Sequence, residues 1–116
     1  MSKPIVIVAF TDSETQANAG LATLGKRFKH DWITVVQVTP TAGKQSRSSH
    51  VLTLRDPDRI AWEAYKKPAP GTVFLVNDYG KIAVVGSLSN LGIIERKAKR
   101  LNTVVKSIAY LSEMSD

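Results

Sequence analysis

Apolar positions fall along this chain either in unbroken β-branched runs or in stripes at helical spacing, and those patterns predict its elements. Residues 4–10 are a nearly unbroken β-branched run, Pro-Ile-Val-Ile-Val-Ala-Phe, the pattern of a central strand buried on both faces. Thr11 and Ser13 are each followed three residues later by Glu14 and Gln16, a capping-box spacing that opens a helix running to about Lys29. Its apolar positions Ala17, Leu21, Leu24 and Phe28 fall on one stripe, and Lys26, Arg27 and Lys29 sit in the last turn, where cations suit the helix dipole. Gly20 and Gly25 weaken this helix but allow a close approach to whatever it packs on. Trp32–Val38 is a second β-branched run, so strand, helix and strand form a right-handed crossover with parallel strands.

The text then changes. Residues 39–50, Thr-Pro-Thr-Ala-Gly-Lys-Gln-Ser-Arg-Ser-Ser-His, are small, polar and free of acid, which predicts a flexible basic loop. Val51–Leu54 reads as a short extended piece. Asp56-Pro57 is a helix start, Asp as N-cap and Pro at the first helical position, with Ile60, Ala61, Ala64 and Tyr65 as the inner face and Pro68 as the stop. Thr72–Val76 is a third strand, Asn77–Lys81 a turn in which Gly80 can take a positive φ, and Ile82–Val85 an antiparallel fourth strand. Ser89 or Asn90 caps a long final helix whose apolar stripe is Leu91, Ile94, Ala98, Leu101, Val105 and Ile108, opposite Arg96, Lys99, Arg100 and Lys106. There is no internal repeat and no internal boundary, so residues 1–116 read as one domain.

The expected order is therefore β-α-β-α-β-β-α: an α/β fold with a mixed four-stranded sheet and helices on both faces. The run Leu54–Gly86, LRDPDRIAWEAYKKPAPGTVFLVNDYGKIAVVG, adds to this. It resembles the C-terminal half of the peroxiredoxin group within the thioredoxin-like superfamily, where a "DP…A..Y" helix precedes a "P.TFLID.DGKI" hairpin. The resemblance implies a thioredoxin-like fold with the reactive centre where the first strand meets the first helix. That region is Thr11–Asn18 here, TDSETQAN, and a Cys-x-x-Cys pair would fall near Thr15 and Asn18. It also implies that Ala69-Pro70-Gly71-Thr72 stands where relatives carry a cis-proline loop that holds extended peptides. Here Gly71 separates Pro70 from Thr72, a departure from the usual Pro-Thr. Thr15, Asn18, Pro70, Gly71 and Thr72 are thus the candidate partner-binding groove. The plainer alternatives are helix capping by Thr11 and Ser13, and a turn proline at Pro70.

Composition removes the chemistry that such a fold usually carries. The chain has no cysteine, so disulfides, thiolate catalysis and cysteine zinc sites are excluded. A threonine hydroxyl cannot stand in, because it ionises far too reluctantly and has no redox cycle. Only His30 and His50 remain as soft ligands, and neither has an evident catalytic partner in the sequence. No enzyme activity, metal or cofactor is expected. No apolar run approaches the ~20 residues that span a bilayer, and the N-terminal run lacks a small-residue cleavage site, so a cytoplasmic protein is expected.

The formal charge is +6, from 16 Lys and Arg against 10 Asp and Glu. It favours polyanions and acidic surfaces as partners. Lys44, Arg47, His50 and Arg55, together with Arg96, Lys99 and Arg100, are the candidate contacts to a phosphate backbone. Gly43-Lys44 does not make a phosphate loop, since Val38 and Gln45 stand where Gly and Ser or Thr are required. Three readings follow. One is a redox-inactive thioredoxin-like module that binds a protein with an acidic or extended surface. Another is a nucleic-acid-binding protein. The third is a flavodoxin-like or nucleotide-binding protein that uses Thr11, Ser13 and Thr15 as phosphate ligands.

Overall fold

A computed structural model describes residues 5–12, 18–41, 46–48 and 50–114. The elements are β1 (Ile5–Phe10), α1 (Asn18–Arg27), β2 (Ile33–Thr39), β3 (Ser46–Ser48), β4 (Val51–Arg55), α2 (Ile60–Ala64), β5 (Thr72–Val76), β6 (Ile82–Ser87), a 3₁₀ turn at Leu88–Asn90 and α3 (Leu91–Met114). The strands form one sheet in the order β3-β4-β2-β1-β5-β6. β1 runs parallel to β2 and antiparallel to β5, so strand direction reverses at β1. Among the described residues the sheet has six strands rather than four. The extended piece at Val51 pairs parallel with β2, and Ser46–Ser48 pairs antiparallel with it in turn. The expected loop over residues 39–50 therefore contains the end of β2 and a short strand; residues 42–45 and 49 lie outside the described part.

Alternation along β1 divides the core. Ile5, Ile7 and Ala9 face Leu21, Leu24 and Phe28 of α1 and Ile94, Ala98 and Val105 of α3. Val8 and Phe10 face the other way, with Val36, Val38, Phe74 and Val76, and α2 covers them with Ala61, Trp62 and the nearby Tyr65. Phe10, Tyr65 and Phe74 form an aromatic triangle with centroids 5.0–5.8 Å apart. Helices thus lie on both faces, as the pattern predicts.

The differences have local causes. Asp56 does cap α2, but from a distance: its carboxylate accepts from the Ala61 and Trp62 N–H groups at 3.2 and 3.0 Å. A turn over residues 56–59, closed by the Arg59 N–H donating to the Asp56 carbonyl, delays the helix to Ile60. Ile60 is then 71% exposed instead of facing inward, and Ala64 is exposed too. In α3 the predicted stripe holds at Ile94, Ala98 and Val105, but Ile108 is half exposed. The buried polar residue is Asn102, whose Oδ1 accepts from the Trp32 backbone N–H at 3.0 Å. The cap before α3 is Ser87, which accepts from the Ser89 N–H. The hairpin follows expectation: Asn77 Oδ1 accepts from the Tyr79 and Lys81 N–H groups, and Gly80 has φ 80°. Among the described residues, no helix is long and apolar enough to cross a membrane.

Candidate functional site

Three chain segments converge at the end of the sheet where β1 and β2 finish and β5 begins. Phe10 lies opposite Val38, and Ala9 opposite Val73. The Gly71 N–H donates to the Phe10 carbonyl at 2.7 Å and its carbonyl accepts from the Leu88 N–H, which pins the loop before β5 to the sheet end. With Gly71 at φ 90°, a left-handed conformation, glycine is the residue this loop requires. Between this loop and the end of β2 lies a cleft of about 270 Å³. Phe10, Val38 and Trp62 supply apolar lining, Pro40, Pro68 and Pro70 line it from the two loops, and Asp12, Asp56, Arg59 and Lys67 carry charge.

Thr11 is tied into the end of the sheet, and the residues its hydroxyl was expected to cap lie outside the described ones. It is buried, accepts from Gln37 Nε2 at 3.0 Å, and donates both its N–H and its hydroxyl to the Val38 carbonyl. Gln37 and Thr39 are buried on the same sheet end. This polar patch fixes the ends of β1 and β2 relative to each other.

Trp62 is the organising side chain of the opposite wall. Its indole N–H donates to the Pro68 carbonyl at 2.9 Å, and the Arg59 guanidinium lies 4.9 Å from its ring centroid. The Lys67 and Lys66 N–H groups close α2 onto the Trp62 and Glu63 carbonyls at 2.9 and 3.0 Å, a Schellman-type ending. Lys66 stands at φ 67°, where glycine is usual, and Lys67 and Arg59 also have left-handed backbones at φ 56° and 60°.

Of the predicted groove residues, Pro70 lines the cleft. Gly71 lies behind it as the anchor to β1, and Thr72 begins β5 with its hydroxyl bonded to the Ala69 carbonyl. Asn18 opens α1, and Thr15 lies outside the described residues. No cis peptide bond occurs among the described residues, so the bond before Pro70 is trans. Trp62, expected from the sequence as core or a groove wall, lines the cleft; Arg59 and Lys67 were missed, and the available signal was the Trp-x5-Pro spacing around the end of α2.

The basic candidates are not gathered together. Lys44 lies outside the described residues. Arg47 is in β3, His50 is exposed in the turn before β4, and Arg55 Nη1 donates to Thr41 Oγ1 at 3.0 Å. Arg96, Lys99 and Arg100 are on α3, which packs over β1, β5 and β6, away from the β3 edge. Lys99 is 3.9 Å from Glu95, which also pairs with Arg27. The mixed strand directions overturn the flavodoxin-like reading, which requires a parallel sheet. Among the described residues no group of His, Asp or Glu is placed to hold a metal.

No protein-family model matches the chain, and no curated protein matches it. Solved structures do. The chain is similar to the pneumococcal exposed lipoprotein thioredoxin of Streptococcus pneumoniae, at TM-score 0.63 and 14% identity over 83% of this chain and 86% of that one. It is also similar to the bacterioferritin comigratory protein of Xanthomonas campestris (TM-score 0.53, 13% identity, 91% and 79% covered). A third is PrxQ of Xylella fastidiosa (TM-score 0.56, 15% identity, 93% and 79% covered). The chain has a thioredoxin-like fold, shared with peroxiredoxin-type proteins, and it has it without a single cysteine.

Proposed function

We propose that this protein is a redox-inactive thioredoxin-like module that works by binding another protein at the cleft beside Pro70. The observation that carries the reading is the pairing of an intact, partly apolar cleft at the strand ends with a chain that lacks any thiol. A site that cannot turn over a disulfide or a peroxide can still hold a polypeptide. The test is site-specific photo-crosslinking. A crosslinker at Pro70 should capture a protein that one at Tyr79, 78% exposed at the hairpin tip, does not. Capture from both sites alike, or from neither, counts against the reading.

A second reading, nucleic-acid binding, is favoured by one observation. Arg96 and Arg100 are exposed on α3 and neither makes an ion pair among the described residues. A gel shift with DNA and RNA at about 0.1 M salt decides it, because phosphate contacts must weaken as salt rises.

A further inference from the structure

We infer that the cleft receives the C-terminal end of an extended partner segment, its α-carboxylate held by Arg59 and Lys67 and its last, apolar side chain set against Phe10 and Trp62. The inference rests on the binding-module reading above and specifies its partner.

The charge arrangement is the first support. Arg59 is preorganised by its place over the Trp62 ring, and Trp62 is held by the Pro68 carbonyl. Stacking occupies the face of a guanidinium and leaves its N–H edge open to a carboxylate, which it can grip with two parallel hydrogen bonds. Neither Arg59 nor Lys67 has a carboxylate partner among the described residues. Asp56 is three residues from Arg59 and accepts from the Ala61 and Trp62 N–H groups, and it forms no ion pair with Arg59. Asp12 and Asp56 line the same cleft, so its formal charges balance, and a carboxylate is favoured only on the side where Arg59 and Lys67 stand.

The backbone is the second support. Arg59 and Lys67 both line the cleft and both have left-handed backbones, a conformation that costs a non-glycine residue roughly 1–2 kcal/mol. Strain of this kind concentrates where a side chain must be aimed. Shape is the third. The cleft, about 270 Å³, lies just below the ~300–1,000 Å³ of sites that enclose whole cofactors or drug-sized ligands. Prolines at positions 40, 68 and 70 line it from both loops and have no N–H to donate, so at those positions a strand running straight through could pair only with carbonyls. A chain end, anchored by its charge, does not need that pairing.

The experiment uses the Trp32→Phe protein, in which Trp62 is the sole tryptophan, titrated with acetyl-Ala-Pro-Leu carrying a free carboxylate and with its C-terminal amide. The acid should change Trp62 fluorescence saturably, with the amide about 10-fold weaker or worse, since a hydrogen bond to a charged group is worth at least that factor. Arg59→Gln should remove the preference for the acid while leaving the circular dichroism unchanged. Equal binding of acid and amide, or binding of neither, overturns the inference. If Trp32→Phe does not fold, the Trp62 indole and Gly71 amide shifts of the unaltered protein read the same comparison. Crosslinking from Pro70 separates the two levels: a partner captured there while both peptides fail removes the carboxylate and keeps the binding module.

Discussion

The Trp62 indole N–H donates to the Pro68 carbonyl at 2.9 Å, and this bond ties α2 to the loop that carries Pro70. It joins two sides of the cleft across six residues of chain. Replacing Trp62 by Phe removes the bond and leaves Arg59 a smaller, weaker ring to lie over. We expect a loss of about 1–2 kcal/mol, from an unmet half-buried acceptor and reduced aromatic packing. The measurement is the urea midpoint at unchanged slope. A midpoint equal to that of the unaltered protein would show that the bond does not hold the wall.

Gly25 and Gly92 are both helical glycines with opposite expected outcomes. A Cβ at Gly25 would come within 2.6 Å of the His50 carbonyl oxygen, whereas one at Gly92 would meet only Asn90 Oδ1 at 4.0 Å. Alanine gains up to about 1 kcal/mol of helix propensity at either site. At Gly25 the overlap costs about 1–3 kcal/mol, so Gly25→Ala should destabilise while Gly92→Ala should stabilise by about 0.5–1 kcal/mol. Thermal melts of the pair check the sign. Stabilisation by Gly25→Ala would mean that the turn at His50 yields.

Lys66 holds the position after α2 where left-handed backbone favours glycine. Lys66→Gly should raise stability by about 0.5–1 kcal/mol, the relieved strain being partly offset by a freer unfolded chain. The readout is again the denaturant midpoint. A loss of stability would show that the Lys66 side chain contributes more than its backbone costs.

Asn102 accepts the Trp32 backbone N–H from inside α3, 70 residues away. Asn102→Ala leaves that donor without its partner and should cost about 1–3 kcal/mol. Amide exchange at Trp32 should accelerate in the same variant. Unchanged exchange would mean another acceptor takes over.

The parts legible in the sequence are those fixed by local pattern. β1, β2, β5 and the hairpin follow from β-branched runs and from Asn77–Gly80, and the α3 stripe holds through Val105. The parts that were not legible depend on partners far along the chain. β4 was legible only as a short extended piece at Val51–Leu54, and it becomes a sheet strand because β2 offers it an edge; β3 forms because β4 then offers another. Asn102 is buried because Trp32 needs an acceptor. The shortness of α2 follows from left-handed backbones at Arg59 and Lys66, which no periodicity announces. That shortness also hid the cleft. Pro70 could be expected there from the resemblance, but Arg59, Trp62 and Lys67 come together only because the helix starts late and stops early.

The reversal of strand direction at β1 has a consequence for how such a site persists. Because β2 runs with β1 and β5 runs against it, the loop leaving one and the loop entering the other must meet at the same end of the sheet. The hollow between them is a property of connectivity. Changing Phe10, Arg59 or Pro70 should therefore alter what the hollow accepts without closing it. The hollow depends on the order and direction of the strands, and no thiol is needed to form it.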